Sequence, residues 1–176
     1  MNPKKTVLSE KDVESLEDEI NTSTDQVAVH HLQLVPKSDL EIMKSGEEEK
    51  SKRYSAKLWC PDHISDEKIN SLNSLKDVEL RQKTPIRVLH RRPLATRLRQ
   101  VHEMELKRTS EERYYQLEVS TQAGTYIKEL VHGDIGRTEP SLRTLLGVPI
   151  DIVELDVMSI NLDWPPPVVR VKDKNE

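Results

Sequence analysis

Residues 120–138 read Ser-Thr-Gln-Ala-Gly-Thr-Tyr-Ile-Lys-Glu-Leu-Val-His-Gly-Asp-Ile-Gly-Arg-Thr and join a strand pattern to a short helix. Apolar and polar side chains alternate just before them, which predicts a half-buried strand that ends near Thr121. Residues 122–124, Gln-Ala-Gly, permit a tight turn, and Thr125 is predicted to cap the helix that follows. The segment therefore predicts a helix that carries three side chains into a pocket, namely Tyr126, Lys128 and Leu130.

The length of 176 residues suits one domain with a buried core. Only 35% of the residues are hydrophobic, none is phenylalanine, and 33% are charged. Two interpretations fit these values: a domain whose packing partner lies outside these residues, and an ordinary domain with charged helices and frayed ends. Composition alone leaves both open.

The cysteine count and the hydropathy indicate an intracellular protein. The single cysteine, Cys60, cannot form an internal disulfide and offers no Cys-x-x-Cys pair for zinc. No apolar run approaches the length of a membrane span, and the charged N-terminus lacks the hydrophobic core of a signal peptide. We therefore expect a soluble protein of the nucleus, the cytoplasm or both, with no metal site and no membrane partner.

Positive charge is concentrated in one stretch, although the net charge is -4. Residues 80–102, here called the basic stripe, contain seven lysine and arginine residues and no acidic residue. A local stripe of cations determines affinity for a phosphate backbone, so we predict that it contacts RNA. The alternative is a solvated charged face, which is the usual meaning of such runs. The predicted RNA contacts are Lys83, Arg87, His90, Arg91, Arg92, Arg97 and Arg99.

The remaining residues alternate between helix and strand patterns. Helical patterns follow the capping residues Ser9, Ser38 and Ser65, and a short helix is expected between Pro140 and Gly147. Further strands are predicted at residues 26–35, 54–60, 86–90, 97–106 and 150–160. The predicted fold is α/β (α+β), with a mixed, largely antiparallel sheet flanked by helices.

Several separated segments resemble the pseudouridine synthases. The Gly-Thr-Tyr-Ile-Lys-x-Leu run of residues 124–130 is similar to the Gly-Thr-Tyr-Ile-Arg-x-Leu element of the TruB-type enzymes, in which the basic residue pairs with the catalytic aspartate. Over the rest of the chain the resemblance is to the archaeal and eukaryotic tRNA pseudouridine synthase family called Pus-ten. The other matching segments are Arg-Tyr-Ser-Ala at 53–56, Gln-Lys-Thr-Pro-Ile-Arg-Val-Leu-His-Arg-Arg-Pro at 82–93 and Glu-Leu-Asp-Val at 154–157.

The resemblance implies an isomerase that converts uridine to pseudouridine in the T-loop of tRNA without a cofactor. Its implied partner is tRNA, and the full-length form is expected to be monomeric. Residues 1–163 would form the C-terminal portion of the catalytic domain, and residues 164–176 a mobile charged tail. Family members carry their nucleophilic aspartate in a Gly-Arg-x-Asp loop, and this sequence contains no such tetrapeptide. We therefore expect a fragment that is inactive by itself.

The resemblance also implies roles for four residues. Tyr54 would pack against the target base and offer its hydroxyl for proton transfer, while Lys128 would hold the catalytic aspartate ionised. Tyr126 and Leu130 would form the walls of the pocket. The competing interpretations are that the aromatic and leucine side chains belong to the core, and that Lys128 is a surface residue paired with Glu129 or Glu118.

Two further hypotheses come from other classes of protein. Under the first, the chain is a non-catalytic module that binds structured RNA through the basic stripe. Under the second, it is a scaffold whose arginines bind an acidic protein. Asp134, the aspartate within residues 120–138, is expected to brace its turn rather than attack the sugar.

Overall fold

The computed structural model of this protein describes residues 8–41, 43–44 and 50–161. The described residues up to 43 and those from 44 onward form two separate compact units. The expected tail at 164–176 lies outside the described residues, and the predicted domain boundary at 163 stays a prediction. No helix in the described part of the chain combines the length and the apolar character that a bilayer crossing needs.

The first unit contains helix α1, Glu10–Ser23, and its predicted cap is confirmed. The Ser9 side chain accepts a hydrogen bond from the Asp12 backbone, and the Asp12 carboxylate accepts one from the Ser9 backbone at 2.7 Å. This reciprocal arrangement satisfies two amide groups that a helix start otherwise leaves unpaired. Residues 39–41 and 43–44 are also helical, as predicted after Ser38.

The predicted strand at residues 26–35 is wrong, because none of these residues is in a strand. Side chains of α1 supply the hydrogen bonds that a neighbouring strand would have supplied. Asn21 pairs with both backbone groups of Val29, at 2.7 and 2.8 Å, and Glu17 accepts a hydrogen bond from the Leu32 amide at 2.9 Å. The backbone groups of Val29 and Leu32 thus pair with side chains of α1 instead of with a strand.

The second unit is built on one six-stranded antiparallel sheet, which confirms the predicted fold class. The spatial order of its strands is β5-β2-β3-β4-β1-β6. In chain order they are β1 Lys52–Trp59, β2 Lys76–Lys83, β3 Thr96–Arg108, β4 Tyr114–Thr121, β5 Thr138–Glu139 and β6 Asp151–Ile160.

Three helices of the second unit contribute apolar side chains to the core that includes one face of the sheet. They are α2 Asp66–Asn73, α3 Ile127–His132 and α4 Leu142–Leu146. The predicted cap of α2 is confirmed, since the Ser65 hydroxyl accepts a hydrogen bond from the Lys68 backbone. The predicted cap of α3 is one residue early: Tyr126 occupies that position, while the Thr125 hydroxyl donates to the Gln122 carbonyl at 2.7 Å.

The alternation along β4 places every second side chain in the core, with Leu117 fully buried at the centre. Leu117 lies opposite Ala56 of β1 and Leu106 of β3, so three strands contribute to one apolar layer. A bulge interrupts the β3–β4 register between Val101 and Glu103 and changes which residues of β3 face the core.

The predicted strand at residues 86–90 is also wrong. Ile86–Val88 form a single 3-10 turn, and the strand begins only at Thr96, so the prediction for 97–106 is confirmed. Pro85 precedes the turn, and Asp134 accepts a hydrogen bond from the Ile86 amide at 3.1 Å. That amide is therefore used by a distant side chain and is not available to a neighbouring strand.

Leu117→Ala should lower the free energy of unfolding by about 2–5 kcal/mol, because it opens a cavity at a site with no solvent access. Leu98→Ala, at a β3 residue that is 55% exposed, should change it by less than about 0.5 kcal/mol. Urea denaturation of both variants measures the difference. Equal losses would contradict the position assigned to the core.

Candidate functional site

A tight turn connects β4 to α3 and places an arginine against its glycine. Gly124 has φ +74, a conformation that favours glycine. A Cβ at Gly124 would lie 3.3 Å from Nη2 of Arg99, so the missing side chain leaves room for the guanidinium group. Arg99 thus contacts the turn that leads into α3.

Gln82 of β2 holds Tyr126, the N-cap residue of α3. Its buried side chain amide donates to the Tyr126 carbonyl and accepts from the Tyr126 amide, both at 3.0 Å. Two hydrogen bonds to one residue resemble the pairing between neighbouring strands. The amide therefore fixes the backbone of Tyr126, whose side chain is half-buried.

Glu129 is a buried carboxylate bound by an arginine of the basic stripe. Its side chain is 2% exposed, and its two oxygens accept hydrogen bonds from Nε of Arg87 at 2.7 Å and Nη2 at 3.3 Å. The Glu129 carboxylate raises the pKa of Arg87 above its ordinary value through this hydrogen bond. The Arg87 guanidinium also lies 5.9 Å from the centre of the Tyr126 ring.

Asp134 braces the turn after α3, as the sequence predicted. It has φ 46, and its carboxylate accepts the hydrogen bond from Ile86 while lying 3.6 Å from Nε of Arg137. Residues 86 and 87 are consequently held by two carboxylates, one at the backbone of Ile86 and one at the side chain of Arg87.

Lys128 is exposed and forms no ion pair within the described parts of the chain. The alternative pairing with Glu129 or Glu118 is wrong, because Glu129 binds Arg87 and Glu118 binds Arg53 at 2.8 Å. The ammonium group of Lys128 therefore has no acidic partner among the described residues, whereas Arg87 holds the side chain of the adjacent Glu129.

The other three predicted catalytic residues differ in how far their side chains are buried. Leu130 is fully buried in the core cluster, and Tyr54 packs against the same cluster from β1, between Val119 of β4 and Val157 of β6. Burial raises the pKa of the Tyr54 phenol. Tyr54 and Leu130 thus share one apolar cluster, and the half-buried Tyr126 precedes α3 as its N-cap.

Apart from Arg87, which Glu129 binds, the predicted RNA contacts fall into two groups. The side chains of Lys83, His90, Arg91 and Arg92 are exposed. Arg97 and Arg99 are half-buried at alternate positions of β3, opposite Gln82 and Leu80 on the core face of the sheet. Arg97 donates to the Thr84 hydroxyl at 3.3 Å, whereas Nε of Arg99 is buried and has no hydrogen-bond partner among the described residues.

Sequence reasoning missed two residues that shape this site. The sequence presents Gln82 only as part of the segment at 82–93, and Glu129 only as an alternative partner of Lys128. Two features of the sequence indicate a buried ion pair at Glu129. It is an acid among the apolar residues Ile127, Leu130 and Val131, and the basic stripe carries cations without acids. Its partner among seven cations could not have been identified from spacing.

Comparisons with known proteins agree with the resemblance in the sequence. A family model described as "Pus10, C-terminal" matches residues 1–161. Human tRNA pseudouridine synthase Pus10 is 48% identical over 166 residues, which are 94% of this chain and 31% of the human protein. The same enzyme of the archaeon Methanothrix thermoacetophila is 39% identical over 150 residues, covering 85% of this chain and 32% of the archaeal protein.

One solved structure supports the fold. The crystal structure of a Cbf5-Nop10-Gar1 complex contains a chain that matches with a TM-score of 0.52 and 25% identity, over 68% of this chain and 33% of the other. The chain described here therefore spans about a third of the length of the proteins that it matches.

Tyr54 should ionise above the ordinary tyrosine pKa of about 10, because burial disfavours the phenolate. Its pKa is raised by folding, so its contribution to stability is complete below about pH 10 and is lost as the pH rises toward the folded-state value. Alkaline titration of phenolate absorbance measures this, and Tyr54→Phe should remove the late-titrating component. An unchanged curve in Tyr54→Phe would contradict the burial of this hydroxyl.

Proposed function

This chain belongs to the Pus10 C-terminal family, and we propose that it forms part of an isomerase that converts uridine to pseudouridine in the T-loop of tRNA. The single observation that carries the proposal is the uncommitted ammonium group of Lys128. It lies on a short helix that Gln82 and Glu129 fix in place. A cation so placed can pair with a carboxylate that another part of the enzyme supplies.

The reaction makes distinct demands on the protein. The bond from C1′ to N1 of uridine breaks, the uracil turns in place, C5 bonds to C1′, and the proton on C5 is removed while N1 gains one. The enzyme must therefore extract the nucleotide, hold the detached base, offer a carboxylate to the sugar and relay a proton. None of these steps consumes a cofactor.

Tyr54 is suited to hold the base. Its half-buried ring packs at the margin of the apolar cluster, so part of a flat aromatic face stays accessible to a base. A tyrosine phenol is ordinarily protonated at neutral pH, and burial raises the pKa of Tyr54 further in the same direction. We therefore assign it stacking and proton relay, not the role of a resident phenolate base.

Lys128 is proposed to keep a catalytic carboxylate ionised and oriented. The carboxylate would come from a Gly-Arg-x-Asp loop, which does not occur in this sequence. Lysine provides a point charge without the two-pronged geometry of arginine, so the pair would depend more on the position of α3. Tyr126 and Leu130, on either side of Lys128 in sequence, are proposed as pocket walls.

The basic stripe is proposed to bind tRNA in two ways. The exposed cations Lys83, His90, Arg91 and Arg92 would contact the phosphate backbone, which positions RNA without reading sequence. Arg99 lies against the turn before α3, and Arg97 lies at the alternate position of β3. We propose that both hold the phosphate of the extracted nucleotide, while Nη1 of Arg87 contributes at the edge. An intracellular, monomeric enzyme that acts on tRNA is part of the same proposal.

The second candidate is a non-catalytic RNA-binding module. The observation that favours it is the lack of a Gly-Arg-x-Asp tetrapeptide together with the exposed cations of the basic stripe. A pseudouridine assay on unmodified tRNA, performed with the full-length enzyme and with this chain alone, separates the two candidates.

Lys128→Met and Tyr54→Leu, each in the full-length enzyme, should lower the single-turnover rate at saturating tRNA by about 100-fold or more, because each removes a group that acts at the reacting nucleotide. The Kd for tRNA should stay within about threefold. Lys76→Met and Tyr114→Leu are matched controls. Lys76 is an exposed residue of β2, and Tyr114 lies on the face of β4 that points away from the core. Normal rates in both test variants would remove the site assignment.

The double variant Arg91→Ala/Arg92→Ala should weaken tRNA binding and make it less sensitive to salt. Each lost phosphate contact reduces the slope of log K against log salt by about 1. Lys76→Ala/Lys107→Ala, which removes two exposed cations outside the stripe, should leave the slope unchanged. Equal slopes for both double variants would contradict the proposed RNA surface.

A further inference from the structure

We infer that Arg87 and Glu129 form a positioning pair that ties the start of the basic loop to the helix carrying Lys128. The basic loop is residues 84–95, between β2 and β3. The inference rests on the proposed function and deepens it, because it assigns to the pair the alignment of bound RNA with the catalytic helix. Arg87 thereby acts mainly by holding Glu129 through Nε and Nη2, and only its Nη1 atom is left to contact a phosphate.

The first step of the argument is the burial of Glu129. A carboxylate without access to water is unfavourable unless hydrogen bonds and an opposite charge compensate it. Both Glu129 oxygens are bound by the same guanidinium, at 2.7 and 3.3 Å. A two-pronged contact of this kind fixes the direction of the side chain as well as its distance.

The second step is that Arg87 belongs to a different element from Glu129. It lies in the 3-10 turn Ile86–Val88, which opens the basic loop, and Asp134 holds the backbone of that turn at Ile86. The Arg87 guanidinium also lies over the Tyr126 ring. One side chain therefore links the loop, the residue before α3 and the first turn of α3.

Thr84, the first residue of the basic loop, is hydrogen-bonded to the residues at its other end. Its hydroxyl donates to the Pro93 carbonyl at 2.7 Å and accepts from the Ala95 amide at 3.0 Å, while Arg137 donates to the Thr84 carbonyl at 2.7 Å. The loop is thus a closed unit with Arg91 and Arg92 on its exposed part. Because Arg87 holds this unit to α3, movement of the loop and movement of Lys128 are coupled.

A second arginine–glutamate pair shows what a pair without this role looks like. Arg53 and Glu118 approach to 2.8 Å on neighbouring strands, but their side chains are 52% and 38% exposed. Exposed pairs contribute little to stability and fix little in place. The residue types and the distance match those of Arg87 and Glu129, so this pair is the control.

The test uses the full-length enzyme with four variants: Glu129→Gln, Arg87→Lys, Arg87→Met and the double variant Arg87→Met/Glu129→Leu. The single variants should lower the single-turnover rate at saturating tRNA by about 10- to 100-fold, because the catalytic helix is displaced relative to the bound nucleotide. For Glu129→Gln, the Kd for tRNA and its salt slope should stay unchanged. The matched variants Glu118→Gln and Arg53→Met should have normal rates.

The double variant separates positioning from stability. It leaves no buried charge without a partner, so its melting temperature should recover toward that of the wild type. Its single-turnover rate should stay low, because the tie between loop and helix is still missing. If the rate recovers together with the melting temperature, the pair is only structural and the inference is overturned.

Two other outcomes also overturn the inference. The first is a normal rate in Glu129→Gln. The second is a loss of affinity and salt slope in Arg87→Met with no loss of rate, which would make Arg87 an RNA contact only. If the wild-type enzyme forms no pseudouridine, the proposed function fails, and amide hydrogen exchange at residues 126–132 then decides the inference. That exchange should become about tenfold faster in Glu129→Gln and not in Glu118→Gln, and equal exchange in the two variants overturns the tie.

Discussion

The buried carboxylate of Glu129 is the constraint on which the candidate site depends. Helix α3 has only six residues, and a helix of that length is not stable by its own hydrogen bonds. Its position therefore comes from outside: from the core around Leu130, from the Gln82 amide and from the Arg87 guanidinium. Removing the charge partner of a buried acid is costly, so the helix, the turn at Ile86 and the basic loop are held to one arrangement.

The cations of this chain consequently perform different physical tasks. Arg87 and Arg137 are engaged by carboxylates, and Arg99 rests against the turn at Gly124. Arg91 and Arg92 are exposed to solvent. Lys128 is the cation on α3 that the described residues leave without an acid. The cations of the chain thus form two physical groups, one held in place by carboxylates and one left exposed to solvent.

Much of the fold could be predicted from local patterns, because these depend on a few neighbouring residues. Alternation predicted β4, and the Ser9 and Ser65 caps predicted the starts of α1 and α2. The two wrong strands have different causes. Within residues 26–35, the Asn21 side chain of α1 binds the backbone of Val29. Within residues 86–90, Asp134 binds the Ile86 amide, and the amides of Val88 and Leu89 form hydrogen bonds inside the local turn. β-branched composition carries no information about either kind of partner.

By itself, the sequence determined the family, the antiparallel α/β class and the motif that carries Tyr126, Lys128 and Leu130, because these follow from residue order and short-range periodicity. Only the tertiary structure decided which charges are paired. Glu129 and Arg87 are 42 residues apart in the sequence. The residues next to Arg87 in the chain predict an RNA contact and give no sign of its acidic partner. Pairing depends on distance and burial in three dimensions, and the sequence specifies these only through the completed fold.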